Sequence, residues 1–312
     1  MDAARKQTFK ALATGIVLVI AVLVPFFLDG FQVFQATQVL VMAIAIMGLN
    51  LLTGYNGQFS LGHGAFFAAG AYVAAFMLSN DAAHFVPAIL VAGGVCFSLG
   101  LGFGFPALRL GGLYLALATF SLAVAMPQIL KLSILTPWTG GVGGIVLSKP
   151  TVPAALPVND DQWLYFVVLA CGVILYWMVV GLLAGRTGRA FLAVKDNELA
   201  SRAMGINVTR VKVLAFGYSA MITGVAGALS ALVTQYVAPD SFTFFLSVNL
   251  LVGMVVGGVG FIPGAIVGGL FTHFMPILAD GIHQGLQGVI YGLVLIAIVY
   301  FLPRGLGSLF GR

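Results

Sequence analysis

The sequence predicts an all-α integral membrane protein of about ten transmembrane helices with both termini on the cytoplasmic side, and three observations carry that expectation. Its 312 residues are 61% hydrophobic and only 7% charged, with a mean hydropathy of +1.09. A soluble domain carries about 25% charged residues, and this composition could not cover a water-facing surface. The charges are separated by long uncharged gaps, and each charge at the bilayer centre costs roughly 2.5 to 3.5 kcal/mol on insertion scales, so the gaps outline the spans. Third, the bases sort to one side once the spans are drawn. The same composition excludes a disordered chain and a disulfide-stapled secreted domain. It also excludes a nucleic-acid binder, because 14 Lys and Arg are too few and too scattered for a continuous basic face.

The elements follow in chain order. The first span, 11–29, comes after Arg5, Lys6 and Lys10; no small-x-small cleavage signal follows it, so it reads as uncleaved. The uncharged gap 30–80 is too long for one span of about 20 residues and holds two, 32–53 and 64–80. Spans at 84–105 and 110–130 come next. Residues 131–161 read as an extracytoplasmic loop, because 132–148 is rich in Gly, Pro and Thr and runs on into Pro150, Pro153 and Pro157. The remaining spans are placed at 162–184, 213–237, 243–260, 264–280 and 284–302, and 1–312 forms a single transmembrane domain. Segment 186–212 is its main cytoplasmic excursion.

Charge tests the count. With the N-terminus inside, the inner side receives Arg5, Lys6, Lys10, Arg109, Arg186, Arg189, Lys195, Arg202, Arg210, Lys212, Arg304 and Arg312, twelve of the 14 bases. The outer side receives Asp29, Asp81, Asp160, Asp161, Asp240 and Asp280, with Lys131 and Lys149 as its bases. That is the positive-inside bias, and moving one span scrambles it. The net charge of +5 is therefore a topology signal.

No sequence device for catalysis is visible. No lysine follows a glycine, so there is no P-loop, and the His-Glu-x-x-His, Gly-x-Ser-x-Gly and Gly-x-Gly-x-x-Gly patterns are missing. His63, His84, His273 and His283 lack metal spacing, and Cys96 and Cys171 each sit in an apolar run as small hydrophobes. Glycine is abundant, at 41 residues, with four-residue spacings at Gly253 and Gly257, at Gly260, Gly264 and Gly268, and at Gly281 and Gly285. Such spacing lets helix backbones approach closely in lipid, and its density predicts a compact, transporter-like bundle with broken or closely crossing helices.

Two segments stand out. Asn50 to Gly64 places Asn50, Thr53, Asn56, Gln58, Ser60 and His63 among glycines inside a long uncharged region. It reads either as an interrupted segment at the cytoplasmic end of a pathway or as an ordinary inner turn, since non-helical backbone at membrane depth must be buried in protein or line a cavity. Residues 186–212 hold eight of the 23 charges, six of them basic. There Asp196 or Asn197 caps a two-turn helix, with Glu198 in its first turn, Arg202 in its last and Gly205 as its stop. Phe191, Val194, Leu199, Ala203 and Met204 add apolar contacts. A short capped helix on a minimal cytoplasmic face, in a chain with no energy module of its own, fits a docking element for a separate motor.

The blocks GLNLLTGYNGQFSLGHGAFFAAGAY (48–72), LRLGGLYLALATFSLA (108–123), GRAFLAVKDNELASRAMGINVTRVKVLAF (188–216), GALSALVTQYVAPDSFTFFLSVNLLVGMVVGGVGFIPGAIVGG (227–269) and YGLVLIAIVYFLPRGL (291–306) resemble the LivM-type permease subunit of branched-chain amino-acid ABC importers. The resemblance implies an ABC importer permease bundle in the bacterial inner membrane, a LivH-type permease paralogue, two separate ATPase subunits and an extracytoplasmic substrate-binding protein. It implies that this chain binds no cofactor, ATP and Mg being used by the partner ATPases. The family's ATPase-coupling motif carries over onto Gly188, Arg189, Lys195, Asp196, Glu198, Ala200 and Gly205, to which Arg202 is added from the helix reading. Leu199 stands where the family's Glu-Ala-Ala loop has its first alanine, Val142 where a polar residue often separates the outer glycine pairs, and Pro127 interrupts the fifth span.

Alternating access follows as the expected mechanism. A zwitterion with an apolar side chain passes more freely along weak neutral groups than along fixed charges. The candidate lining residues are Asn50, Thr53, Gln58, His63, Thr119, Ser121 and Asn249. The alternatives are the same permease type carrying urea or short amides, a stand-alone channel or secondary carrier, and a non-transporting scaffold.

Overall fold

The computed structural model describes residues 18–79, 84–107, 112–150, 152, 157–282, 287–302 and 305. The helices are α1 (Leu18–Phe27), α2 (Gly30–Asn50, continued by a π turn over Leu51–Tyr55), α3 (His63–Ser79), α4 (Phe85–Ala107), α5 (Leu113–Leu130), α6 (Asp160–Ala184), α7 (Arg186–Asp196), α8 (Glu198–Ala203), α9 (Val208–Thr234), α10 (Phe244–Gly257), α11 (Gly264–Ile282) and α12 (Gln287–Phe301). Each of the ten apolar segments outlined above carries a helix. Among the described residues five helices are long and apolar enough to cross a membrane: α2 with its π turn, α4, α5, α6 and α9.

Helix starts obey the polar signals in the sequence. Asp29 precedes α2 and its N–H donates to the Gln32 side chain at 3.3 Å; Asn159 and Gln162 repeat the arrangement at α6 at 3.1 Å. Asn207 caps α9 by accepting the Arg210 N–H at 3.0 Å. The seventh predicted span therefore starts five residues earlier than the charge gaps allow, because Arg210 and Lys212 sit in the first turns of the helix rather than before it.

The bundle is built around α9, where 83% of the span is buried, against 17% for peripheral α6. α9 packs on α2, α3 and α4, and its small residues set the distance. A side chain at Gly70 of α3 would run into the Gly224 carbonyl, one at Gly227 into the Phe67 carbonyl, and one at Gly224 into the Cys96 thiol. A second tight crossing joins α10 to α11, where Gly257 meets the Gly264 backbone and Gly268 meets that of Gly253. Close approach of this kind supplies dispersion contacts in lipid, where the hydrophobic effect no longer favours helix association. Two glycines from the spacing pattern do something else. Gly260 lies in the α10–α11 turn with φ 75°, and Gly281 has open space around it. Gly285 lies outside the described residues.

Charged residues collect at two ends. At one, Lys131 pairs with Asp240 at 2.5 Å and Lys149 with Asp161 at 2.6 Å. Residues 133–146 pack there as short helical turns and one strand: Thr139 Oγ1 donates to the Leu130 carbonyl at 2.9 Å, and Ile145–Val146 pairs antiparallel with Tyr236–Val237 just after α9. This two-residue ladder is a small departure from an all-helical chain. At the other end lie Arg189, Lys195, Glu198, Arg202, Arg210 and Lys212. Arg5, Lys6, Lys10, Asp81, Arg109, His283, Arg304 and Arg312 lie outside the described residues. Cys96 and Cys171 are free thiols.

Replacing Gly227 by Val should lower the thermal unfolding temperature in detergent sharply, since overpacking typically costs about 1–3 kcal/mol and here the obstacle is backbone. Gly102→Ala, at a site with open space, should leave that temperature unchanged.

Candidate functional site

The chain leaves the helix at the end of α2, and most of the polar residues singled out in the sequence meet there. α2 widens into the π turn, Gly57 takes φ 74°, and α3 restarts at His63. Such π turns recur at functional sites because they release backbone groups from the regular ladder. The segment 50–64 is therefore an interruption, and several of its polar groups meet partners from elsewhere in the fold. Thr53 Oγ1 donates to the Gln58 carbonyl at 3.0 Å, and the Gln58 side chain donates to Asn56 Oδ1 at 2.5 Å and to the Lys212 carbonyl at 3.1 Å.

Asn50, fully buried, holds the second break. Its Nδ2 donates to the carbonyls of Gly258 and Phe261, both at 3.1 Å, and its Oδ1 accepts the Gly260 N–H at 2.7 Å. One side chain with two donors and an acceptor thus fixes the turn between α10 and α11. Gly54, one turn on, lies against Gly260; a Cβ there would sit 2.5 Å from its nitrogen.

His63 anchors the restart of α3. Its Nε2 lies 2.6 Å from Ser219 Oγ and its Nδ1 lies 3.0 Å from Ser60 Oγ. Ser219 spends its one proton on the Gly48 carbonyl at 2.6 Å, so His63 Nε2 must be the donor to Ser219. Nδ1 then accepts from Ser60, whose oxygen accepts the Gly62 N–H at 3.3 Å. The chain of bonds is complete with a neutral imidazole. Thr119 Oγ1 accepts the Leu61 N–H and Ser247 Oγ the Gly64 N–H, each at 2.9 Å.

Of the candidate lining residues, Asn50, Thr53, Gln58, His63 and Thr119 converge here, each bonded within the chain. Ser121 lies exposed on α5 and bonds back to the Leu117 carbonyl, and Asn249 accepts from Tyr291 at 2.7 Å elsewhere, so neither joins the junction. Sequence reading missed Ser219, Ser247 and the backbone of Lys212. A hydroxyl inside an apolar span was the available signal, since it must find a partner there.

The coupling candidates abut this junction. The segment forms two helices where the sequence predicts one, because the 186–196 stretch is amphipathic and buries Phe191 and Val194. Gly188 packs against the Leu183 backbone, and Arg189 donates to the Ala184 carbonyl at 3.3 Å. Asp196 is exposed at the end of α7. Asn197, not Asp196, caps α8 by accepting the Ala200 N–H at 3.0 Å, and Gly205 stops it with φ 80°. Glu198 pairs with Lys212 and lies 4.0 Å from Arg202. Lys195 Nζ donates to the Gly54 carbonyl at 2.6 Å. Of the apolar residues noted here in the sequence, Phe191 and Val194 are buried, whereas Leu199 and Met204 face outward, 76% and 83% exposed. Between segment and junction lies a cavity of about 110 Å³ lined by Asn56, Gln58, Lys195, Glu198 and Lys212 among others. Among the described residues no cluster of His, Cys, Asp and Glu is built to hold a metal ion.

A family model described as "Branched-chain amino acid transport system / permease component" matches residues 32–299. The chain belongs to this family. The high-affinity branched-chain amino acid transport system permease protein LivM of Salmonella typhimurium is 34% identical over 78% of this chain and 62% of its own length. LivM of Escherichia coli is 31% identical over 93% of this chain and 73% of its own length. The LivH permease protein of Salmonella typhimurium is 23% identical over 85% of this chain and 90% of its own. The chain thus spans less than two thirds of the first of these relatives. No solved structure matches it. The helices long and apolar enough to cross a membrane agree with a helical membrane protein of this family.

Asn50→Ala should cost about 1–3 kcal/mol of stability, because the three side-chain hydrogen bonds that fix the α10–α11 turn are lost. Asn249→Ala, which removes one half-buried bond, should cost less; thermal unfolding of both variants in detergent checks the order.

Proposed function

We propose that the chain is the transmembrane permease subunit of an ATP-driven ABC importer for branched-chain or related amino acids, working by alternating access in the bacterial inner membrane. The observation that carries this reading is the direct bonding of the charged two-helix segment to the break in α2, through Lys195 to Gly54, beside the bond from Gln58 to the Lys212 backbone at the start of α9. A force applied to α7 and α8 reaches a span that has already left its helix. The relatives named for branched-chain amino acid transport support the cargo class.

In this reading the ten apolar helices are ten spans with both termini inside. The pairing of Lys131 with Asp240 and of Lys149 with Asp161 supports it, because charge partition assigns all four to the outer side; Glu198, Arg202 and Lys212 all fall inside. A LivH-type paralogue completes the membrane part. Two ATPase subunits bind ATP and Mg and dock on the outward apolar face of Leu199 and Met204, flanked by Arg202 and Arg210. A binding protein delivers substrate to the end formed by residues 131–161. Closure of the ATPases then pulls on 186–205 and repacks the junction between two discrete arrangements. The neutral groups along 50–64 suit a zwitterion, which fixed charges would retain.

Vesicles reconstituted with the paralogue, the two ATPase subunits and the binding protein should take up labelled leucine only with ATP on the ATPase side. ATP-independent flux by this chain alone would instead mark a channel or secondary carrier. Replacing Leu199 and Met204 together by Asp should reduce ATPase copurification by about tenfold or more, since two buried apolar anchors are lost; undiminished copurification would sink the docking assignment.

A further inference from the structure

We propose that Lys195 is a positioning residue of the transport cycle: its ammonium caps the broken end of α2 at the Gly54 carbonyl and so ties the coupling segment to the interrupted span. This role rests on the permease reading above and turns the ammonium of Lys195, an exposed residue, back onto the junction rather than outward to an ATPase.

In an unbroken helix the Gly54 carbonyl would accept an N–H from residue 58 or 59. Here the Gln58 N–H turns back to the Leu52 carbonyl at 3.3 Å, and the left-handed Gly57 carries the chain away. The last carbonyls of a helix lack internal partners and form the negative end of its dipole, so a cation at that end is favoured twice, as donor and as charge. Lys195 supplies both from another element at 2.6 Å.

The approach depends on glycine at 57. The lysine stem lies across it, and a Cβ at that position would come within 3.0 Å of Lys195 Cγ. The far face of Gly54 rests on Gly260, in the turn that Asn50 fixes. One ammonium therefore reaches the point where α7, the break after α2 and the break before α11 meet. Other bases of the segment are committed elsewhere: Arg189 to the Ala184 carbonyl and Lys212 to Glu198. α7 itself is seated by Phe191 and Val194, so a displacement of the segment moves Lys195 with it.

The test uses the full importer, with its ATPases and binding protein, in nanodiscs and vesicles. Lys195→Met removes the donor and keeps the stem; Lys195→Arg restores a cation and a donor. The readouts are ATPase copurification, unfolding temperature and substrate imported per ATP hydrolysed. Loss of one charge-assisted bond predicts a fall in that ratio of about tenfold in Lys195→Met. Copurification should stay at the wild-type level, and Lys195→Arg should recover most of the ratio. An unchanged ratio in Lys195→Met overturns the proposal. Loss of the ATPases from the assembly overturns it too, because Lys195 would then be a docking contact. Equal failure of both variants with a lowered unfolding temperature makes the residue structural and also overturns it. If the wild-type assembly shows no ATP-dependent import, the permease reading itself fails, and this role with it.

Discussion

A backbone group that leaves its helix at membrane depth has no water to turn to and must be answered from within the protein. The break after Tyr55 releases several such groups, and the partners that answer them come from widely separated stretches of sequence. Thr119 comes from α5, Ser247 from α10 and Lys195 from the charged segment, while Ser219 of α9 holds the imidazole of His63 at the restart of α3. Each partner fixes the position of its own helix as well as that of the loop. The irregular stretch is thus the point to which the surrounding helices are registered, even though it contributes few apolar contacts itself.

That registration needs a bundle in which helices can come close enough to share short hydrogen bonds. Side-chain removal achieves this around α9, where Gly224 and Gly227 let α3 in to backbone contact and Gly224 admits the Cys96 side chain of α4, and Ser219 can then reach both His63 and Gly48. The small residues and the buried polar network are two parts of one arrangement. A bulky residue at Gly70 or Gly227 would push apart the helices that carry the donors and acceptors as well as removing packing.

Much of this was legible in the sequence, for physical reasons that can be named. The cost of charge in lipid placed the apolar helices closely, and of the two cap residues the sequence offered for α8, Asp196 or Asn197, the structure uses Asn197. Asn50, Gln58 and His63 were conspicuous because amides and imidazoles are expensive in an apolar run. Their partners were not visible, since Ser219 and Ser247 lie more than 150 residues away and a lone serine in a span carries no spacing signal. The α9 start was misplaced because Arg210 and Lys212 belong to the helix end, where long basic side chains reach out of the apolar zone. α7 was missed as a helix because its amphipathic face is spread over a stretch crowded with charge. Leu199 and Met204 could be recognised as apolar, but whether they pointed in or out depended on how α8 sits on the bundle.

The ladder between Ile145–Val146 and Tyr236–Val237 is only two residues long, yet it lies at the far end of α9 from Lys212. α9 has 27 residues and so extends about 40 Å as an uninterrupted, deeply buried rod. Its first turns carry the backbone carbonyl that Gln58 grips, and its exit carries the strand that holds the opposite loop. The two faces of the protein therefore share one rigid member, and a tilt of that member at either face must appear at the other as a displacement of opposite sense.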